Sequence, residues 1–141
     1  MRSLCFLIAL LILTACGPSD PLTAHEWRFV SMTLGEASMR GTRLAPPATL
    51  TFSTESAGLD RYNVSGYSGC NLINGTYARA DEAGALDMSP MASTQRACTS
   101  GLAERIEIPF QEALPDVDRY AIDGDTLRLT FPRGIMVFAA P

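Results

Sequence analysis

The sequence predicts a mainly β protein, an antiparallel sandwich or small barrel, with one helix near residues 100–114. Three observations carry this expectation. Short runs of alternating apolar and polar residues recur along the chain, separated by turn residues. Asp123-Gly124-Asp125 stands between two such runs, as a tight hairpin requires. In one place alone the period changes: Leu102, Ile106, Phe110 and Leu114 recur every fourth position and trace a helical stripe.

In chain order, Trp27-Arg28-Phe29-Val30-Ser31-Met32 alternates as a half-buried strand does. After Pro46-Pro47, Ala48 to Thr54 sets Leu50 and Phe52 on one face and Thr49, Thr51 and Ser53 on the other. Tyr62 and Val64 keep that rhythm within Arg61 to Ser65. Asn74-Gly75 reads as punctuation before a strand at Thr76-Tyr77-Ala78, and Asp81 to Gly84 as a polar turn before Ala85-Leu86-Asp87-Met88. The Asp-Gly-Asp turn joins Tyr120-Ala121-Ile122 to Thr126–Phe131, and Pro132-Arg133-Gly134 leads into Ile135-Met136-Val137-Phe138. Ser100 is placed to cap the helix, with Glu104, Glu107 and Glu112 expected toward solvent. Pro109 removes a backbone hydrogen bond, so a kink or two short helices are expected there. Met32, Met39, Met88, Met91 and Met136 read as core filling.

At 141 residues the chain has room for one domain and a short appendage. Its 11 basic residues are all arginine against 15 acids, a net charge of −4, which excludes a basic face fit for a nucleic-acid backbone. The single histidine, His25, excludes multi-histidine metal sites and argues against imidazole catalysis. The pairs Asp116/Asp118 and Asp123/Asp125 fall in turns, where aspartate serves local hydrogen bonding rather than acid–base work, and they offer too few oxygens in register for calcium.

The appendage lies at the start. Arg2 precedes an apolar run from Leu4 to Leu13, too short for a permanent membrane span of about 20 residues but right for a signal peptide. Leu13-Thr14-Ala15-Cys16 resembles a bacterial lipobox, which makes residues 1–15 a cleaved signal and Cys16 the lipid-bearing N-terminus, with palmitate the expected acyl chain. Several buried acyl chains hold such a protein stably on a membrane. Gly17, rather than aspartate, follows Cys16, and by resemblance to enterobacterial sorting this favours the periplasmic face of the outer membrane. Residues 16–24, with Pro18 and Pro21, read as a tether, leaving 25–141 as the domain.

Gly66-Tyr67-Ser68-Gly69-Cys70-Asn71-Leu72-Ile73-Asn74-Gly75-Thr76-Tyr77 resembles the G-x-x-G-C-N-x-x-x-G-x-Y signature of the META domain family, which includes the HslJ-like heat-shock lipoproteins. Thr94-Gln95-Arg96-Ala97-Cys98 is similar to that family's T-x-x-A-C segment, and Trp27 matches its early tryptophan. The resemblance implies a compact antiparallel β-barrel-like domain with one helix and an association with stress. The motif residues Gly66, Gly69, Cys70, Asn71, Gly75, Tyr77, Thr94 and Cys98 are then the candidate site, read either as a structural corner locking two strands or as a ligand site. With Cys5 lost and Cys16 acylated, Cys70 and Cys98 form an even pair in an exported chain, which reads as a disulfide. The alternative, two thiols with one reactive, lacks a nearby histidine or lysine to lower a thiol pKa.

The function expected is that of a non-enzymatic, lipid-anchored envelope module, monomeric, without cofactor or metal. Its partners are the membrane, through the lipid, and an unidentified envelope protein or small ligand, with nucleic acid excluded. A carrier or inhibitor using a barrel cavity is the alternative.

Overall fold

A computed structural model describes residues 20–141. The predicted signal peptide, the predicted lipidation site Cys16 and the first part of the predicted tether lie outside the described residues. Ten strands make one antiparallel sheet: β1 (Glu26–Leu34), β2 (Ala37–Arg40), β3 (Thr49–Gly58), β4 (Arg61–Tyr67), β5 (Leu72–Arg79), β6 (Leu86–Met88), β7 (Ala92–Ser93), β8 (Arg119–Asp123), β9 (Thr126–Phe131) and β10 (Gly134–Ala139). The main path runs β6-β5-β4-β3-β1-β10-β9-β8, with β2 added beside β1 and β7 beside β5.

The ends of that path meet. Leu86 N–H donates to Asp118 O at 2.9 Å, and Tyr120 N–H donates to Gly84 O at 2.7 Å. These two bonds nearly close the sheet into a barrel and satisfy edges that would otherwise be open to pairing. Side chains fill the interior of a barrel of this size. Trp27, Phe52, Tyr77, Phe110 and Phe138 are all buried, together with Leu50, Leu127, Leu129 and Met136.

The bulge in β1 shows how the sequence reaches that packing. Trp27 and Phe29 point inward, yet the next inward residue is Met32, which strict alternation would turn outward. The register with β10 slips between Phe29 and Ser31, so Val30 is the extra residue that resets the face. The freed Val30 carbonyl accepts from Gly41 N–H at 2.9 Å. Val30 also marks a change of neighbour, since β1 pairs with β3 before it and with β2 after it.

The helix α1 (Gly101–Ala113) continues into a 3-10 turn at Leu114–Asp116. Ser100 caps it, its hydroxyl accepting from Ala103 N–H at 3.1 Å. Ile106, Phe110 and Leu114 are buried and Leu102 is half-buried, as the stripe predicts. Phe110 meets Phe29 and Phe138 edge-on at centroid distances of 5.2 and 6.0 Å. Pro109 does not divide the helix, contrary to the expectation of two short ones. A proline in this position forfeits the bond to Arg105 O, and Arg105 lies on the exposed side, where water can take that carbonyl.

The strand expectations hold with three differences. Asn74-Gly75 lies within β5, not before it; both residues pair with β4. The strands β2 and β7 carry no alternation visible in the sequence, being short and largely exposed. Residues 20–24, read as tether, are docked on the barrel: Leu22 is fully buried, and its carbonyl accepts from Trp27 Nε1–H at 2.8 Å. Among the described residues no helix is long and apolar enough to cross a membrane.

Candidate functional site

The corner between β4 and β5 gathers most of the candidate residues. Gly66 lies where β3 and β4 approach closely: a Cβ there would stand 2.0 Å from Thr49 O. Gly69 has φ +94°, a backbone state that L residues rarely adopt, and it packs beneath Leu44. This turn delivers Ser68, Cys70 and Asn71 to the interior, with Ser68 fully buried and Asn71 4% exposed. Ser68 Oγ accepts from Asn71 N–H at 3.0 Å and lies 3.1 Å from Asn71 O, so the corner closes on itself.

Asn71 then ties three parts of the chain together. Its Oδ1 accepts from Arg96 N–H at 2.7 Å and from Thr94 Oγ1–H at 2.9 Å. Its Nδ2 donates to Arg96 O at 3.2 Å and to Glu107 Oε1. Thr94 passes the connection back, its Oγ1 accepting from Leu72 N–H at 3.1 Å. Alongside this network Cys70 and Cys98 are joined by a disulfide, with Cα atoms 5.1 Å apart. A buried amide with every polar atom engaged fixes one geometry for the three segments it touches.

Glu107 is the residue that sequence reading misplaced. It was expected toward solvent, but it is half-buried in this corner. Its Oε1 also accepts from Gln111 Nε2–H at 3.2 Å, one helical turn on. Its Oε2 lies 3.0 Å from Cys98 Sγ. A disulfide sulfur carries no proton, so this is packing of a carboxylate on sulfur rather than a hydrogen bond. The signal was available in part: Glu107 follows Ile106 and sits one turn before Gln111, at the flank of the apolar stripe, where a polar residue can reach inward.

The remaining motif residues go elsewhere. A Cβ on Gly75 would stand 2.7 Å from Met91 Sδ and 2.9 Å from Ser89 Oγ, so this glycine admits the 88–93 segment over β5. Tyr77, within β5, lies six residues along the chain from Asn71, about 20 Å away at strand rise. Its ring packs edge-on against Phe52, and its hydroxyl donates to Ser53 O at 2.8 Å. Burial raises the Tyr77 phenol above its ordinary pKa of 10.0, with neighbouring Arg79 pulling the other way. Arg79 stacks over Tyr77 and Tyr120 at 5.9 Å and pairs with Asp20, fastening the start of the domain.

Chemically, the corner is a brace with a groove beside it. The groove is about 590 Å³, floored by Asn71, walled by Ser93–Ala97 on one side and by Glu107, Ile108, Gln111 and Glu112 of α1 on the other. Ile108 is 61% exposed, and Leu72, adjoining Asn71, is 62% exposed. Cys70, Cys98 and Glu107 are the one set with metal-ligand proximity among the described residues, their ligand atoms lying within 4.8 Å. The disulfide withholds both thiolates, so the set does not fit a metal in this state. His25 is exposed and meets Trp27 edge-on, away from the corner.

Fold and site together define a small antiparallel barrel whose corner is braced by a disulfide and a buried asparagine. The META domain family model matches residues 20–140, and the chain belongs to that family. Among solved structures, the chain is similar to the NMR structure of a protein from Burkholderia xenovorans, with 23% identity, a TM-score of 0.66 and coverage of 85% of this chain and 83% of that one. It is also similar to the crystal structure of a DUF4847 family protein from Bacteroides vulgatus, with 15% identity, a TM-score of 0.55 and coverage of 84% and 94%. At these identities the likeness is one of fold. No curated protein matches significantly.

Proposed function

We propose that this chain is a lipid-anchored module of a bacterial cell envelope, associated with stress, that acts by binding a protein partner rather than by catalysis. The observation that carries the reading is the groove beside the braced corner, where Ile108 lies exposed on the α1 wall, with exposed Leu72 next in sequence to Asn71 of the floor. Exposed apolar side chains flanking a polar floor are the features of a contact surface. The rigid corner supports the same reading, because a preorganised surface loses little entropy on docking. The anchor rests on the lipobox at Cys16, and the stress association on the family resemblance. For catalysis the chain offers no lysine, and its single histidine stands apart from the groove. The carrier alternative needs the lumen, which Trp27, Phe52, Phe110 and Phe138 occupy; a ligand is left with surface clefts.

The test is capture from envelope extract with the lipidated protein, beside Cys16→Ser and Ile108→Glu forms. A partner retained by the wild type, and lost on Ile108→Glu with the melting temperature unchanged, is the expected result. If the Ile108→Glu form retains the same partners, the groove is not their site. If no form retains a reproducible partner, the binding reading fails.

A further inference from the structure

An acidic chain that gathers free cations at one point has an electrostatic feature calling for a counter-charge. Four of the described arginines, Arg61, Arg79, Arg119 and Arg133, pair with carboxylates. Of the others, Arg28, Arg96 and Arg128 stand outside the cluster, whereas Arg40, Arg43 and Arg105 together line one cleft of about 450 Å³ with Thr42 and Leu102. They come from the end of β2, the loop after it and the first half of α1, so the fold assembles the cluster. A second cleft of about 370 Å³ is shared with it through Arg40, Leu102 and Arg105, and continues along Met39 and Ile106. A cationic mouth therefore opens beside an apolar slot.

We propose that this double cleft binds a phosphate monoester carrying a hydrocarbon chain, with the phosphate held by Arg40, Arg43, Arg105 and the Thr42 hydroxyl, and the chain laid along Leu102 and Met39. Three guanidinium forks and a hydroxyl exceed what a single carboxylate can accept, whereas a doubly charged tetrahedral head offers oxygens to each. Excess positive charge at this mouth, in a chain of net charge −4, also concentrates anions there. The site is separate from the groove beside Asn71, so it stands or falls independently of the partner proposed there.

The experiment is calorimetric titration of inorganic phosphate, butyl phosphate and butanoate into the full chain held in phosphatidylcholine nanodiscs, with empty nanodiscs subtracted. Butyl phosphate is expected to bind about tenfold more tightly than inorganic phosphate, from partial burial of its four-carbon chain, and butanoate most weakly. Arg105→Gln or Arg43→Gln weakens both phosphates about tenfold, while Arg128→Gln, an exposed arginine on β9 outside the cleft, leaves them unchanged. Leu102→Asn weakens butyl phosphate alone. Equal affinity for the two phosphates overturns the apolar half of the site. Binding insensitive to the cleft arginines, or lost equally with Arg128→Gln, overturns the site itself. Since these arginines are exposed, unchanged melting temperatures separate lost binding from lost fold.

Discussion

The two ends of β5 are secured by opposite means. At its start, Asn71 and the Cys70–Cys98 disulfide hold three chain segments through a covalent bond and a saturated set of directional hydrogen bonds. At its end, Tyr77 is held by aromatic packing, one hydrogen bond to Ser53 O and the stacked Arg79 that reaches Asp20. The first arrangement has few substitutes, because removing one member strands the others in the interior. The second is distributed, so each member contributes modestly. The contrast fits the placement of the groove: the rigid end carries the candidate contact surface, and the distributed end fastens Asp20 at the start of the described residues.

The sharpest way to break the contrast is at the rigid end. Replacing Cys70 and Cys98 together by alanine releases a loop of 28 residues and is expected to cost about 3–4 kcal/mol in the chain-entropy account, read as a lowered denaturant midpoint. Intact protein should show two fewer free thiols than protein reduced under denaturing conditions. Asn71→Ala comes next, at about 3 kcal/mol, because Arg96 N–H, Arg96 O and Glu107 all lose a partner. Asn71→Asp preserves the acceptor and sets a second carboxylate against Glu107, so it should destabilise comparably and recover partly as the pH is lowered. If Asn71→Ala melts within a degree of wild type, the corner is not the brace described.

How much of this was legible beforehand differs between the same two ends. The corner announced itself through Gly69-Cys70-Asn71 and Ala97-Cys98, because turn chemistry and cysteine pairing are local signals. Glu107 did not, since its role depends on the rotation of α1 about an axis that only tertiary packing sets. The same holds for Leu22, which reads as tether and is buried under Trp27. Gly75 reads as turn punctuation because the reason for it, the 88–93 segment lying over β5, comes from more than ten residues away. The cluster of Arg40, Arg43 and Arg105 was hidden for the same cause: composition counted the arginines but not their convergence.

At the distributed end the expected effects are smaller. Tyr77→Phe loses the bond to Ser53 O and should cost about 1 kcal/mol at neutral pH. Its pH dependence is more telling. The phenol is raised in the folded protein mainly by burial, so the folded state favours the neutral form. The unfolded chain ionises at the ordinary value of 10.0, the folded chain only above it. Stability from this group is therefore complete below pH 10 and falls as the pH rises through the folded value. Wild type should lose stability in that alkaline window while Tyr77→Phe loses less, a difference measurable by denaturant titration at successive pH values. Identical alkaline slopes would place the phenol in a more open setting than the packing indicates.

The smallest effect should run the other way and lies at the β3–β4 hairpin tip, close to the distributed end. Leu59 and Asp60 occupy its two central positions with φ of 51° and 57°. A two-residue turn with both angles positive matches the twist of the strands, but asparagine and glycine tolerate it far better than leucine and aspartate. Leu59 gains nothing in exchange, since it is 96% exposed. Leu59→Asn with Asp60→Gly is accordingly expected to stabilise the protein by about 0.5 kcal/mol, the relief at two positive-φ positions being partly offset by the freedom glycine adds to the unfolded chain, seen as a raised denaturant midpoint with an unchanged slope. Asp60 also lines the cleft with Asp20, Tyr62, Tyr77 and Arg79, so relief of the turn should propagate to that cleft alone. Slower exchange of the β3–β4 amides with unaltered exchange around Asn71 would show that the two ends of β5 are independent. Protection gained at both would mean that they form one cooperative unit.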